Sequence, residues 1–375
     1  MILPASLFTL LGGVGVLYTL AATILVGRWR PGTVETVADG PSVTILKPLY
    51  DNEPKLAENL ATFLGQDYPA PVQMVCGVGS ADDGALQALN PPSAGEDFTL
   101  SIATTNYGSN GKISNLANMQ RYATHDLLVL SDSDIAVGPD YLARIAAAIA
   151  QPEVGAITCL YAGRGDAGLW SRIAAAGISY QFLPSVMIGL ATGLAKPCMG
   201  STIALRRETL DHIGGFGRFA DILADDNAIG AAVRNLGLKV VVPPMIVTHG
   251  CAETSLMDIA RHELRWNATV RALDQAGFIG SIVTHPLPLA IIAFALGGGT
   301  MAAWLILIAL LARIILAARI DRLAKRRTMP LWLLPFRDIV SFLLYIATFF
   351  VRSVDWRGAK LRMEKDGRIS AGSES

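Results

Sequence analysis

Charged residues and cysteines are both scarce in this sequence. Only 17% of the 375 residues are charged and 52% are apolar, whereas a soluble domain usually carries about a quarter charged residues. Lys plus Arg (31) balances Asp plus Glu (31), so there is no basic excess to hold a nucleic-acid backbone, and we expect no nucleic-acid partner. The four cysteines are isolated, without the paired spacing of a metal site. One domain attached to membrane segments fits this composition.

The first 27 residues contain no Asp, Glu, Lys or Arg, and Arg28 and Arg30 follow directly. About 20 apolar residues are enough for a helix that crosses the hydrocarbon core. A cleaved signal peptide is the alternative, but it has its basic residues before a shorter apolar stretch. We therefore predict an uncleaved transmembrane anchor over residues 1–27, with its C-terminal end in the cytoplasm.

A second uncharged run lies between Asp274 and Arg313. As one helix it would be about twice as long as the membrane core is thick. The glycines at 297–299 provide a break, which predicts two transmembrane helices within 276–318, approximately 276–296 and 300–318. Arg313 is expected to snorkel at the inner end of the second helix.

A basic segment at 319–330 follows these helices, and the positive-inside rule places it in the cytoplasm. Residues 31–275 then lie in the cytoplasm as well. Over 331–351 the apolar pattern is interrupted by Arg337 and Asp338, and the basic residues Arg352 and Arg357 come after it. We interpret 331–375 as an interfacial or re-entrant membrane element with a cytoplasmic tail.

Short apolar runs alternate with helical patterns over 31–275, which predicts an α/β domain with a mainly parallel sheet. The predicted strands are Val43–Pro48, Val72–Val78, Phe98–Thr104, Asp126–Leu130 and Val154–Cys159. The predicted helices are Pro54–Leu64, Asp83–Leu89, Ile113–Tyr122 and Asp140–Ala150.

Two acidic pairs are candidates for chemistry. Asp132 and Asp134 follow a predicted buried strand, where ligands bind in open α/β sheets. Carboxylates at this spacing suit a divalent cation such as Mg²⁺ or Mn²⁺, although an Asp-rich turn can also simply cap the next helix. Asp225 and Asp226 precede an apolar helical run, where one carboxylate would be a general base or both would only complement the helix dipole.

A third candidate lies on the predicted helix 255–272, which carries Arg265 and Trp266. Arg265 is a plausible donor to an anionic leaving group, and Trp266 offers a flat apolar surface. An ordinary surface helix is the alternative interpretation.

Taken together, these motifs resemble the ceramide glucosyltransferase class of GT-A glycosyltransferases, from about Val43 to Gly358. The ordered set is Ile45-Leu46-Lys47-Pro48-Leu49, Gln66-Asp67-Tyr68-Pro69, Asp132-Ser133-Asp134, Asp225-Asp226 and Arg265-Trp266. Within the class, the chain looks most like the bacterial glycosyltransferases associated with hopanoid biosynthesis. The phrases that carry this likeness are 200–207, 262–266 and 284–289.

The resemblance implies a GT-A domain on membrane helices that moves a sugar from a UDP-sugar to a lipid hydroxyl with inversion. It assigns Asp132 and Asp134 to a divalent metal and the diphosphate, Asp226 to the catalytic base, and Arg265 and Trp266 to the closing catalytic motif. It further implies a set of residues that bind the nucleotide-sugar, namely Lys47, Asp83, Lys112, Asn115, Asp132 and Asp225.

The sequence departs from the class at two places. Gly79 and Ser80 stand where the first aspartate motif usually has an acid, so we expect Asp83 to contact uracil instead. His262 stands where the closing motif usually has Gln or Arg.

The resemblance predicts N-acetylglucosamine transfer to bacteriohopanetetrol at the bacterial inner membrane, with the catalytic domain facing the cytoplasm. A ceramide glucosyltransferase using UDP-glucose is the nearest alternative, and a processive polysaccharide synthase or a non-catalytic lipid-binding protein is more distant. We expect Pro184 and glycines to break Ile178–Ala195, so that this stretch forms an interfacial element at the lipid entrance, with Phe182 and Met187 against the lipid. A buried core helix is the alternative.

Overall fold

The computed structural model describes residues 2–32, 40–89 and 97–351, together with the backbone of three short strands between 353 and 371. Arg352 and Arg357 of the predicted tail lie outside the described residues. The helices are α1 (Ile2–Arg28), α2 (Leu56–Leu64), α3 (Gly111–Gln120), α4 (Tyr141–Ile149), α5 (Leu169–Gly177), α6 (Leu183–Thr192), α7 (Arg207–His212), α8 (Asp225–Asn235), α9 (Leu256–Leu273), α10 (Gln275–Gly280), α11 (Pro286–Ala295), α12 (Gly299–Leu323) and α13 (Leu334–Thr348). The strands are β1 (Val43–Pro48), β2 (Val72–Val78), β3 (Asp97–Ile102), β4 (Leu127–Leu130), β5 (Ile135–Ala136), β6 (Val154–Thr158), β7 (Leu160–Gly165), β8 (Ile203–Arg206), β9 (Lys239–Val241), β10 (Ile246–Cys251), β11 (Ser353–Trp356), β12 (Ala359–Met363) and β13 (Ile369–Ala371).

The central sheet has seven strands in the order β3-β2-β1-β4-β8-β6-β9. All pairs are parallel except the two that β8 makes with β4 and β6. Successive residues of a strand face opposite sides of a sheet, and Ile45 and Leu46 accordingly belong to different apolar clusters. Both faces are therefore covered, as a mainly parallel sheet requires, and the predicted α/β class is confirmed.

The predicted strands and helices of this domain are all present, with ends that agree or differ by at most two residues. The short helix predicted at Asp83–Leu89 is a 3₁₀ turn over Gly84–Ala88. A second sheet, β5-β10-β7, was not predicted, because β5 has only two residues and pairs with a strand more than a hundred positions away. This small sheet continues from the Asp132–Asp134 turn.

Four helical stretches among the described residues are long and apolar enough to cross a membrane, namely Pro4–Arg28, Leu169–Thr192, Gly299–Leu323 and Leu331–Thr348. On α1 and α12, Leu10, Leu17 and Met301 are 65%, 67% and 71% exposed, as expected of side chains that face lipid. The span predicted at 276–296 is instead a pair of helical pieces, Gln275–Thr284 and Pro286–Ala295, bent by 70°. The bend lies just before Pro286, because the ring of a proline clashes with the backbone of the preceding residue when that residue is helical.

The expected interruption at Pro184 is wrong, since one helical stretch runs through it from Leu169 to Thr192. A π turn over Ile178–Phe182 comes immediately before the proline and absorbs the irregularity that proline imposes on a helix. Proline has no N–H for the carbonyl four residues earlier, which belongs to Tyr180. Arg313 of α12 donates Nη1 to that carbonyl at 2.7 Å, which satisfies the orphaned oxygen.

The expectation that Arg313 snorkels is therefore also wrong. Its side chain is 5% exposed and binds the carboxylate of Asp338 on α13 through Nε at 2.9 Å and Nη2 at 2.7 Å. The neighbouring Arg337 binds Glu263 of α9 at 2.5 Å. The charges that interrupt the apolar pattern of α13 thus bind partners on α12 and α9.

Replacing Asp338 by Asn should leave the Arg313 guanidinium buried without a counter-charge. We expect the Asp338→Asn variant to lose about 3–5 kcal/mol of unfolding free energy, measured by denaturation in neutral detergent. Asp140→Asn is the matched control, because Asp140 pairs with Arg144 at a half-exposed site where about 0–1 kcal/mol is expected. Equal losses in the two variants would contradict this account of the pair.

Candidate active site

The Asp132–Asp134 turn follows β4 at the carboxyl end of the central sheet, beside the end of β1. Lys47 of β1 is fully buried beneath it, where Nζ donates to the backbone oxygen of Asp132 at 2.5 Å and lies 3.8 Å from the centre of the Phe63 ring. Burial lowers the pKa of Lys47 to about 8, although the nearby Asp134 and Asp132 oppose the shift. Lys47 therefore supports the turn from inside the domain.

Lys112 joins the two acidic pairs that the sequence singled out. Its Nζ lies 2.6 Å from Oδ1 of Asp132 and 3.7 Å from Oδ2 of Asp225. Burial alone would lower the pKa of Lys112, but the carboxylates outweigh it and raise the pKa overall. Asn110, which caps α3, also donates to Asp225 at 3.3 Å. The structure thus brings together residues more than a hundred positions apart.

Asp226 lies in the first turn of α8, next to the buried Asp225. Its carboxylate accepts hydrogen bonds from the backbone N–H groups of Gly200 at 3.0 Å and Asn227 at 2.7 Å. Burial, and then the adjacent charge of Asp225, raises the pKa of Asp226 to about 6. A carboxylate with this pKa is ionised at neutral pH and is still basic enough to accept a proton.

Gly200 shows how tightly these groups converge. A Cβ atom at this position would lie 3.1 Å from Nζ of Lys112, 3.2 Å from Oδ2 of Asp132 and 3.6 Å from Oδ2 of Asp226. A side chain would therefore occupy the space between the ammonium group and the two carboxylates. The glycine leaves that space to a ligand.

Asp134 has a different partner, since its Oδ2 lies 3.4 Å from Nε2 of His249 on β10. His249 stacks on Tyr161 of β7 at 5.3 Å between ring centres. Burial, followed by the charges of Asp226, Asp134 and Asp132, raises the pKa of Tyr161 well above its usual value. Sequence reasoning missed both His249 and Tyr161. A single His or Tyr at the end of an apolar run carries no motif signal, and only the strand pairing brings them to the carboxylates.

The closing motif on α9 lies beside His249. Trp266 contacts His249 and His262 edge-on, at 6.1 Å and 4.4 Å between ring centres. Nδ1 of His262 lies 2.5 Å from Oε1 of Glu253, whose side chain is 9% exposed. Burial would raise the pKa of Glu253, but the hydrogen bond with His262 lowers it overall. The His262–Glu253 pair therefore packs against one side of the Trp266 ring. Arg265 directly precedes Trp266 on α9.

The remaining predicted residues make contacts with the backbone. Asn115 is buried and donates to the carbonyl of Gly77 at the end of β2, at 2.7 Å. Asp83 accepts from the N–H groups of Asp51 at 2.7 Å and Ala85 at 3.0 Å. Asn115 therefore supports the end of β2, and Asp83 joins the loop after β2 to the loop after β1. Their predicted contacts with the nucleotide remain predictions.

The donor atoms suit a divalent cation only in part. Oδ1 of Asp134 is buried without a hydrogen-bond partner, and a carboxylate is a ligand that suits Mg²⁺ or Mn²⁺. The nitrogen of His249 that faces this carboxylate is Nε2, at 3.4 Å from Oδ2. Asp132 is bound to Lys112, so the two aspartates face different partners. Across the described residues, no group of three or more His, Cys, Asp or Glu side chains is arranged to hold a metal.

The fold is similar to that of a solved glycosyltransferase. The structure superposes on the mannosyltransferase PcManGT from Pyrobaculum calidifontis, solved in complex with GDP-Man and Mn²⁺, with a TM-score of 0.54 and 21% identity. The match covers 92% of this chain and 98% of that one. The fold is therefore the GT-A type of glycosyltransferases. Residues 7–369 match the profile of glycosyl transferase family 21, and the chain belongs to this family.

Curated relatives share only part of their length with this chain. Ceramide glucosyltransferase 3 of Caenorhabditis elegans is 25% identical over 238 residues, which is 60% of this chain and 50% of the relative. An N-acetylglucosaminyltransferase of Rhizobium leguminosarum bv. viciae is 28% identical over 133 residues, 35% of this chain and 30% of that protein. The chain spans about half the length of the ceramide glucosyltransferases that it matches.

The His262–Glu253 pair predicts how the closing motif tolerates substitution. We expect His262→Ala to cost about 1–3 kcal/mol of unfolding free energy, because the buried Glu253 loses its donor. His262→Gln keeps a donor and should cost less than the alanine variant. Denaturation of both variants in neutral detergent measures the difference, and equal losses would show that the hydrogen bond to Glu253 is not the source of the loss.

Proposed function

We propose that this protein is an inverting glycosyltransferase that moves N-acetylglucosamine from UDP-N-acetylglucosamine to a hydroxyl of a membrane lipid, the hopanoid bacteriohopanetetrol. Membership of glycosyl transferase family 21 supports the reaction class. The observation that carries the mechanism is the partly exposed Asp226 carboxylate, which two backbone N–H groups hold beside Lys112 and Asp132.

In this mechanism, Asp226 accepts the proton of the acceptor hydroxyl as its oxygen attacks the anomeric carbon. The new carbon–oxygen bond forms as the bond between the sugar and UDP breaks. A single base is sufficient, and no covalent sugar–enzyme intermediate is needed, so the configuration at the anomeric carbon inverts.

Cationic groups stabilise the charge that develops on UDP as it leaves. Lys112 is held at the carboxylate cluster for this role, with Arg265 as a second donor from α9. Asp134 and His249 would hold a divalent cation such as Mg²⁺ or Mn²⁺, which supplies further positive charge at the diphosphate. Asp225 positions Lys112, while Lys47 and Asn115 support the loops around the nucleotide.

The lipid acceptor is proposed to approach along α6. Phe182, immediately before this helix, stacks on Tyr161 at 4.9 Å, and Tyr161 lies next to His249. Met187 of α6 lines an apolar cavity of about 430 Å³ against the end of α1. This path leads from a candidate membrane helix to the catalytic groups. We place the site on the cytoplasmic side of a bacterial inner membrane.

A ceramide glucosyltransferase using UDP-glucose is the second candidate, because the Caenorhabditis elegans relatives bear that name. The Rhizobium N-acetylglucosaminyltransferase favours the hexosamine donor instead. Both candidates use the same base and leaving-group contacts.

Asp226→Asn should lower sugar transfer by about 10²–10⁴-fold, because the variant has no base for the acceptor proton. The affinity for the UDP-sugar, measured by calorimetry, should remain within about threefold, since proton transfer is not part of donor binding. Asp211→Asn, at an exposed position of α7, is the control and should retain activity. Loss of nucleotide affinity in Asp226→Asn would make Asp226 a binding residue instead.

Metal binding should depend on His249 as well as on Asp134. With UDP present, we expect Asp134→Asn and His249→Asn each to weaken Mn²⁺ binding by about tenfold or more, as loss of a ligand or of its support does. Electron paramagnetic resonance of free Mn²⁺ measures this affinity without requiring turnover. His212→Asn, which removes an exposed imidazole, is the matched control. Wild-type Mn²⁺ affinity in His249→Asn would exclude His249 as a ligand.

A crossed assay tests the substrates. UDP-N-acetylglucosamine and UDP-glucose are each offered with bacteriohopanetetrol or ceramide, with Mg²⁺ or Mn²⁺, and products are identified by mass spectrometry. We expect a hexosamine adduct on the hopanoid alone. A hexose on ceramide would keep the mechanism and overturn the proposed acceptor, whereas no product in any pair would contradict the proposed function.

A further inference from the structure

A second cavity, of about 650 Å³, lies between the small β5-β10-β7 sheet and the segment 324–328 that follows α12. Thr248 and Arg164 line it from the sheet, and Arg326 lines it from the segment. Nη2 of Arg326 donates to the hydroxyl of Thr248, which connects the two walls.

This cavity is on the opposite face of the sheet from the candidate active site. Thr248 and His249 are successive residues of β10, so their side chains leave the strand on opposite faces. Thr248 lines the cavity, whereas His249 stacks on Tyr161 beside the carboxylates. The mechanism proposed above uses none of the cavity's charged residues.

The lining of the cavity is strongly cationic. It includes five basic residues and no acidic one: Arg164, Arg172, Lys325, Arg326 and Arg327. Asp166, just outside, accepts from Arg164 at 2.7 Å and 2.8 Å and lies 3.8 Å from Lys55. Within the described part of the chain, the other four basic residues have no carboxylate within 4.0 Å. The local positive charge is therefore mostly uncompensated.

Arg326 and Arg164 are an unfavourable pair as they stand. Burial, and then the like charge of Arg164, lowers the pKa of Arg326, although the nearby Asp166 opposes the shift. Two guanidinium groups in a partly buried cavity cost free energy unless anions compensate both of them. Among the described residues, Asp166 forms hydrogen bonds with Arg164 and none with Arg326. The arrangement is thus typical of a site that an anionic ligand completes.

We propose that this cavity binds a phosphate-bearing anion. Guanidinium groups present paired N–H donors that match phosphate oxygens, and the cavity is large enough for a phosphodiester headgroup. Its basic wall directly follows the candidate membrane helix Gly299–Leu323, where the headgroups of anionic lipids concentrate around basic segments. The source of the phosphate is either such a headgroup or free inorganic phosphate.

The full chain in neutral detergent is titrated with phosphatidylglycerol, and separately with diacylglycerol, which lacks the phosphate. A third titration uses inorganic phosphate, with chloride at equal ionic strength as its control. The unfolding midpoint reports binding, because a ligand of the native state stabilises it in proportion to the logarithm of its concentration. We expect phosphatidylglycerol to raise the midpoint and diacylglycerol to leave it unchanged. A rise with inorganic phosphate as well would identify free phosphate as a sufficient ligand.

Three variants complete the test. Arg326→Gln should weaken the apparent affinity for phosphatidylglycerol by about tenfold, the loss expected for one charged hydrogen bond. If this variant does not fold, Arg327→Gln, at an exposed position of the cavity lining, provides a second measurement. Arg322→Gln removes the same charge from the same basic segment but does not line the cavity, and it should bind like the wild type. The proposal is overturned if neither phosphate ligand raises the midpoint, or if Arg322→Gln weakens binding as much as the cavity variants do.

Discussion

The candidate active site depends on one ammonium group shared by carboxylates that would otherwise repel one another. Lys112 lies against Asp132 and Asp225, with Asp226 beside them across the space left by Gly200. Burial raises the pKa values of Asp225 and Asp226, and Lys112 opposes both shifts. The carboxyl end of β4 meets the N-terminal ends of α3 and α8 here. The contacts that hold these elements together therefore also influence the protonation state of Asp226, the proposed base.

A second set of contacts connects this cluster to the candidate membrane helices. Phe182 in the π turn stacks on Tyr161, and Tyr161 stacks on His249. Pro184 makes that turn irregular, and Arg313 of α12 satisfies the carbonyl that the proline leaves without a partner. Arg313 and these aromatic contacts therefore form a continuous packed connection between α12 and the face of the candidate active site.

Much of the domain could be predicted from the sequence because its signals are local. The apolar run of β4 and the acidic turn after it predicted a buried strand with Asp132 just beyond its carboxyl end, and the structure has both. His249 and Tyr161 could not be found in this way, since each becomes part of the site only through pairing of β10 with β5 and β7. Arg313 was mispredicted for the same reason, because its partner Asp338 lies on another helix.

The pH dependence of sugar transfer tests most directly whether the carboxylate cluster controls the base. With a pKa of about 6, Asp226 is protonated and inactive below that pH and ionised above it. We predict that kcat/KM falls about tenfold per pH unit below pH 6 and is level near neutral pH. Asp225→Asn removes a neighbouring charge that raises this pKa, so its acid limb should move to lower pH. A rate that is flat from pH 5 to 8 in the wild type, or an acid limb that stays in place in Asp225→Asn, would contradict the account.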